Sequence, residues 1–281
     1  MRPQKAKLIS YWLTKSNKLW TIITKMQQVR AKKSLGQHFL RDLGVAQRIA
    51  ETIESGRVLE IGPGMGVLTQ YLLRNPKIDL TAVELDHESV EYLGEWYPEL
   101  KVIEADFLKM NLDELYPEGE FSIIGNYPYN ISSQIFFKVL EYKDRIPVCS
   151  GMLQKEVAER LASKPGKKAY GILSVLLQAW YDIEYLFTVD AQLFNPPPKV
   201  QSAVIRLTRN RRRQLDCDEK LFKTVVKTAF NQRRKQLRNS LQVLAGKGNP
   251  ILQEELFTKR PEQLGVEEFQ ELTKLLQVCQ N

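Results

Sequence analysis

The sequence predicts an α/β fold, a mostly parallel sheet with helices on both faces, followed by a small all-helical C-terminal domain. Three observations predict it. From Arg57 onward, short apolar runs alternate with longer helix-like stretches, as expected where helices cross over between parallel strands. A glycine-rich turn follows the first of these runs, at Gly62, Gly64 and Gly66. After Leu207 the alternation stops and only helical segments continue.

The elements follow in order. Residues 1–29 read as a basic extension with scattered Trp12, Trp20, Ile22 and Ile23, either a transit peptide or the result of a start codon assigned upstream of Met26, and no function is expected of them. Residues 30–208 form the first domain. RVLEI (57–61) reads as a strand, Val67–Arg74 as a helix, DLTAVEL (79–85) as a strand and Glu88–Trp96 as a helix. KVIEAD (101–106) and FSIIG (121–125) are further strands, and Ser132–Tyr142 is a helix. VCSGML (148–153), EYLFTV (184–189) and AVIRL (203–207) complete the sheet. Residues 209–281 form the helical domain. Its helices are expected near Glu219–Phe230, Arg233–Ala245 and Val266–Val278, punctuated by Gly246, Gly248, Pro250 and Pro261.

Composition narrows the class. A chain of 281 residues, 43% hydrophobic, is long enough for one α/β domain and a companion. No apolar run approaches the roughly 18 residues of a membrane span, so no membrane association is expected. Cys149, Cys217 and Cys279 are widely spaced, and His38 and His87 lie far apart; a reducing, cytoplasmic setting without a metal is the simple reading. The net charge of +8 is unevenly spread: residues 1–41 hold ten Lys or Arg and no acid, and residues 199–238 hold thirteen bases against three acids. Residues 56–126 instead carry fourteen acids and five bases. Clustered bases flanking an acidic middle point to a phosphate-rich macromolecule, the competing reading being a solvated charged surface.

Ligands in this architecture sit beyond the carboxyl ends of the strands, and three motifs fall there. Glu60-Ile61-Gly62-Pro63-Gly64-Met65-Gly66 allows a tight turn and close approach of a ligand to the backbone. Its third glycine comes one place too early for a dinucleotide fingerprint, and the form resembles motif I of S-adenosylmethionine-dependent methyltransferases. Glu84, in Val83-Glu84-Leu85-Asp86, lies 22 positions after Gly62, near the offset of about 20 at which an acid binds ribose hydroxyls. Asp86 reads as a helix cap. Asp106, ending the third strand, falls where a carboxylate accepts from an adenine amine.

The third motif is Gly125-Asn126-Tyr127-Pro128-Tyr129-Asn130-Ile131-Ser132. An exocyclic amine is a poor nucleophile because its lone pair is delocalised into the ring. Acceptors that hold its two N–H groups pull the nitrogen toward tetrahedral geometry and free that pair. Asn126 supplies an amide oxygen, the Tyr127 carbonyl oriented by Pro128 a second acceptor, and Tyr129 a face for a flipped-out base. A Pro-containing turn with two core aromatics is the plainer alternative.

Together these motifs resemble the small-subunit ribosomal RNA adenine N6,N6-dimethyltransferases (KsgA type). The resemblance covers residues 30–281. It begins at Gly36-Gln37-His38-Phe39-Leu40, runs through EIGPGMG, VELD, EADFL and NYPYNIS, and closes at Phe194-Asn195-Pro196-Pro197-Pro198-Lys199-Val200-Gln201-Ser202. It implies a Rossmann-like class I methyltransferase sheet and S-adenosyl-L-methionine as cofactor, contacted by Gln37, His38, Leu40, Gly62, Gly64, Glu84, Asp106 and Asn126. Asn126, Tyr127, Pro128 and Tyr129 would handle the target, with Phe194 as a second aromatic wall. It further implies two adjacent adenosines near the 3′ end of small-subunit rRNA as substrate, within an assembling 30S particle, and a monomeric enzyme. The charge map offers Lys32, Lys33, Lys199, Arg211, Arg212, Arg233, Arg234 and Arg238 for RNA phosphates; the last three at helical spacing could instead form a salt-bridged face. One departure is Tyr127, where the family usually has Leu, which puts the pocket's shape in question. A large-subunit rRNA adenine methyltransferase conferring macrolide resistance, or a non-enzymatic assembly or transcription factor, are the competing functions.

Overall fold

The computed structural model describes residues 29–279, so the expected extension lies outside the described residues apart from Val29. Nine strands are present among them: β1 Phe39–Leu40, β2 Gly56–Ile61, β3 Ile78–Glu84, β4 Lys101–Glu104, β5 Ser122–Asn126, β6 Val148–Gln154, β7 Tyr181–Val189, β8 Phe194–Asn195 and β9 Ser202–Arg209. Seven form one sheet in the order β4-β3-β2-β5-β6-β9-β7. Strands β2 to β6 are mutually parallel, and β9 runs antiparallel to both β6 and β7. The central strands read as near-continuous apolar runs because both of their faces are covered, and Ser122–Gly125 is buried throughout.

The chain leaves β2 toward β3 on one side and later returns to place β5 on the other, with Ile61 opposite Gly125. That reversal opens a crevice beyond the carboxyl ends of β2 and β5. All three sequence motifs end there. A two-stranded ribbon, β1 against β8 with Leu40 opposite Phe194, borders the same end.

Two apolar clusters fill the faces of the sheet. One joins Ile49 and Ala46 of the helix Leu43–Ala50 to Val58, Leu72, Leu80 and Leu93. The other joins Ile123, Phe136, Val139 and Leu161 to Phe222, Val226, Phe257 and Phe269 of the C-terminal helices. The helices Glu219–Asn231 and Val266–Val278 pack on each other and on the helix Ile172–Gln178, so the helical segment extends the sheet's own core. No helix of the described residues is long and apolar enough to cross a membrane.

Three local differences from the sequence reading have physical causes. The helix expected over 67–74 is confined to Thr69–Leu72, since Gly62, Gly64 and Gly66 take φ of 63°, 56° and 76° and the chain runs in turns through Leu68. The helix expected over 233–245 begins only at Leu237 and is divided at Leu241; Arg233–Gln236 is a turn. Strand β7 starts at Tyr181, three residues early, and absorbs an irregularity between Tyr185 and Phe187.

Gly125 and Gly151 stand opposite each other on β5 and β6, and the Tyr127 ring lies over both. A Cβ at Gly151 would come within 2.3 Å of the Gly125 carbonyl oxygen and 2.7 Å of that ring. Gly151→Ala is therefore expected to cost about 1–3 kcal/mol, the range for overpacked cores, read as a lowered urea midpoint at unchanged slope; an unchanged midpoint would contradict this packing.

Candidate active site at the switch point of the sheet

The glycine loop after β2 forms one wall of the cleft. A Cβ at Gly62 would meet only Pro128, at 3.9 Å, so the Gly62 backbone faces open space. Gly64 is closed in by the Phe39 ring, 3.0 Å from where a Cβ would stand. Gly64 also donates its N–H to Glu84 Oε2 at 2.9 Å. The other oxygen of Glu84 accepts from the backbone N–H groups of Leu85 at 2.8 Å and Asp86 at 2.9 Å. Burial raises the Glu84 pKa, while these three N–H groups oppose the rise. The carboxylate thus ties β3 to the glycine loop and still borders the cleft. Asp106, two residues beyond the end of β4, caps the short turn Phe107–Lys109 through Leu108 N–H at 3.0 Å and lines the same cleft.

The opposite wall comes from the segment before β1 and from the motif after β5. Asn126 donates its side-chain N–H to the His38 carbonyl at 3.1 Å. This leaves Asn126 Oδ1 without a partner among the described residues, and the Tyr127 carbonyl likewise, whereas the Pro128 carbonyl accepts from Ile131 at 3.2 Å. The Tyr127 side chain turns away from the cleft: it is 1% exposed, donates to the Ser150 carbonyl at 2.7 Å and packs edge-on against Phe136. Tyr in place of the expected Leu is therefore housed in the core, above Gly125 and Gly151, and leaves backbone at the cleft wall. Tyr129 lies beside His38, ring centroids 5.4 Å apart, with its hydroxyl hydrogen-bonded to that of Ser202. His38 Nδ1 reaches the Pro196 carbonyl at 2.8 Å.

The cleft therefore gathers Gln37, His38, Leu40, Gly62, Gly64, Glu84, Asp106, Asn126, Tyr127, Pro128 and Tyr129. Phe194 is not among its walls. It is 2% exposed, pairs with Leu40 across the β1–β8 ribbon and is buried in the same apolar cluster.

The basic residues separate into two groups. Lys33, Lys199, Arg211 and Arg234 are exposed. Lys32 instead pairs with Asp86 and, at 3.0 Å, with Glu88, and Arg212 pairs with Glu267 at 2.6 Å, so both partly exposed cations already have carboxylate partners within the protein. Arg233 donates to the Lys167 carbonyl and Arg238 to Gln236 Oε1. Among the described residues no carboxylate pairs with Arg233, Arg234 or Arg238, and the turn at 233–236 removes the helical face on which a salt-bridged row would have stood.

Two contributors escaped the sequence reading. Ser202 closes the motif that ends the resemblance, and its hydroxyl, on a residue with no exposed surface, anchors Tyr129. Asp86 sits at the N-cap position of the helix His87–Trp96, yet its side chain makes no capping bond. It holds Lys32, Gln37 Nε2 at 3.2 Å and the Ser89 hydroxyl at 3.1 Å. Burial pushes its carboxyl up, but these three partners prevail and hold it below the usual range.

S-adenosylmethionine fits this donor set. Glu84 at the end of β3 and Asp106 two residues beyond the adjacent β4 stand ready for hydroxyl and amine donors, Leu85 and Phe107 supply apolar surface, and the bare Gly62 backbone admits a close ligand. The parallel sheet, its single antiparallel β9 and this cleft define a class I methyltransferase. The family model for ribosomal RNA adenine dimethylase matches residues 28–277, and the chain belongs to that family. Ribosomal RNA small subunit methyltransferase A of Parabacteroides distasonis is 66% identical over 257 residues, covering 90% of this chain and 96% of its own. The protein of the same name from Porphyromonas gingivalis is 63% identical over 258 residues, covering 90% and 100%. Among solved structures, a dimethyladenosine transferase from Plasmodium falciparum superimposes with a TM-score of 0.72 at 25% identity, covering 86% of this chain and 98% of its own. The 23S rRNA methyltransferase ErmE gives 0.62 at 29% identity, covering 84% and 99%.

Glu60, 1% exposed at the cleft floor, accepts from the Thr69 hydroxyl at 2.7 Å, and burial raises its pKa from 4.5 to about 7. Because the folded value lies above the unfolded one, the folded state holds the extra proton between them, and stability falls as pH rises through that window. Glu60→Gln keeps an acceptor for Thr69 and removes the titration. The variant's stability advantage is expected to grow from near zero at acid pH to about 3 kcal/mol above neutrality, measured by urea denaturation at a series of pH values. Parallel profiles would contradict it.

Proposed function

We propose that this protein uses S-adenosylmethionine to dimethylate the N6 amines of two adjacent adenosines near the 3′ end of small-subunit (16S) rRNA. In this reading it acts as a monomer in the cytoplasm, on the assembling 30S particle, as a step in small-subunit biogenesis. The observation that carries the proposal is the pair of unpartnered acceptors at the cleft edge, Asn126 Oδ1 and the Tyr127 carbonyl, beside the anchored Tyr129 ring. The high identity to small-subunit methyltransferases supports this substrate over the large-subunit alternative.

When bound, the cofactor supplies an electrophilic methyl group on a sulfonium. The chain's own residues do the rest. Glu84 and Asp106 hold the nucleoside part through hydroxyl and amine hydrogen bonds. Tyr129, its hydroxyl fixed by Ser202, offers a ring face on which an extruded adenine stacks. Asn126 Oδ1 and the Tyr127 carbonyl accept from the two amine hydrogens, which draws the nitrogen toward tetrahedral geometry and aims its lone pair at the methyl. Asn126 is neutral, so it positions the amine without setting an anion beside the sulfonium. After the first transfer a single N–H remains and one acceptor is enough to orient it for the second. Phosphates are met by the exposed Lys33, Lys199, Arg211 and Arg234, with Arg233 at the same turn.

Asn126→Ala is expected to lower methyl transfer by about a hundredfold or more, as when an oriented polar group is lost from a dry site, with folding and particle affinity retained. Near-normal turnover would refute the role given to Asn126. Charge reversal at Arg233 and Arg234 together is expected to reduce the slope of log affinity against log salt by about 1–2, two phosphate contacts' worth. An unchanged slope would remove this turn from the RNA face.

A further inference from the structure

We infer that Asp86 is a positioning residue for methyl transfer, acting on Asn126 through the segment Lys32–His38; the inference rests on the function proposed above. The connection is continuous. Asp86, 2% exposed, takes the Lys32 ammonium on one oxygen and Gln37 Nε2 on the other. Gln37 in turn accepts the Lys32 backbone N–H on its Oε1 at 2.8 Å, closing the segment into a ring. Gly36, at φ 64°, makes the turn, and Asn130 fills the space where a Cβ would stand, with Oδ1 at 2.6 Å. His38, the residue after Gln37, offers the carbonyl that takes the Asn126 amide hydrogen.

Asn126 has one side-chain torsion that decides whether oxygen or nitrogen faces the amine. The His38 carbonyl decides it, because only the amide nitrogen can donate to it. His38 is held on one side by its ring contact with the Pro196 carbonyl and on the other through its neighbour Gln37 by Asp86, which lies two residues beyond Glu84 and donates its own N–H to Glu84 Oε1. The carboxylate that borders the cofactor cleft and the amide that faces the target are thereby linked by one run of hydrogen bonds across the mouth of the site. Gln37 and His38, expected from the sequence only to touch the cofactor, acquire a second task in this arrangement. The Lys32 cation serves as internal support for the segment rather than as a phosphate ligand.

The test is a double-mutant cycle with Asp86→Ala and Asn126→Ala, assayed by labelled methyl transfer to small ribosomal subunits lacking the modification. Asp86→Ala alone is expected to lower kcat by about tenfold to a hundredfold, the loss that an ångström-scale misplacement brings, with KM for the subunits within about twofold of wild type. In the Asn126→Ala background the same change should cost less than about twofold, because the group it positions is already gone. Losses that multiply, or an unchanged kcat, would overturn the inference. Should Asp86→Ala fail to fold, Asp86→Asn keeps an acceptor for Gln37 and discards the Lys32 ion pair, and it should show the same non-additivity at smaller amplitude. Wild-type enzyme is measured alongside: no transfer by it would refute the proposed function itself, whereas transfer with additive mutants would refute only the role of Asp86.

Discussion

The hydrogen bond from the Asn126 amide to the His38 carbonyl is the constraint on which the site depends. It joins two segments 88 residues apart, and it turns a symmetric-looking amide into a group with a defined acceptor. The sheet brings the partners of this bond to one place. Strand β5 delivers Asn126 at its carboxyl end, and the segment Lys32–His38, which leads into β1, brings the His38 carbonyl to it. Replacing either end by a loop of the same length would keep the residues and lose the orientation.

Around that bond, polar groups are spent on each other before any ligand arrives. Glu84 accepts three backbone N–H groups, Asp86 holds Lys32 and Gln37, and the Tyr129 hydroxyl is taken by Ser202. A prearranged site of this kind pays little reorganisation when the reaction occurs. The groups left without a partner among the described residues, Asn126 Oδ1 and the Tyr127 carbonyl, are the ones the proposed chemistry would use. The exposed bases Lys33, Lys199, Arg211 and Arg234 are not among the residues that orient Asn126; in the proposed function they meet phosphates, a contact that positions the RNA rather than the amine.

The sheet was legible because central parallel strands are continuous apolar runs and most were followed by a motif with its own chemistry. Glu84 and Asn126 could be placed at strand ends by counting alone, whereas the strand expected to end at Asp106 stops at Glu104 and Asp106 caps the following turn. The β1–β8 ribbon was not legible, since two residues per strand carry no period. The resemblance implied Phe194 as a second aromatic wall; in the structure its ring is buried with Leu40 in the apolar cluster, and pairing of distant short strands has no local signal. Lys32 and Arg212 were read as phosphate ligands from a charge count, but Asp86 and Glu267, 54 and 55 residues away, pair with them. Tyr127 had an ambiguous direction in the sequence, and only the two facing glycines, on different strands, reveal the space that receives its ring.

The measurement that bears most directly on this account is labelled methyl transfer from S-adenosylmethionine to small and to large ribosomal subunits lacking adenine methylation, followed by nucleoside analysis. The account predicts N6,N6-dimethyladenosine, two per particle, in the small subunit only. Label in the large subunit, or binding to the small subunit without transfer, would contradict it.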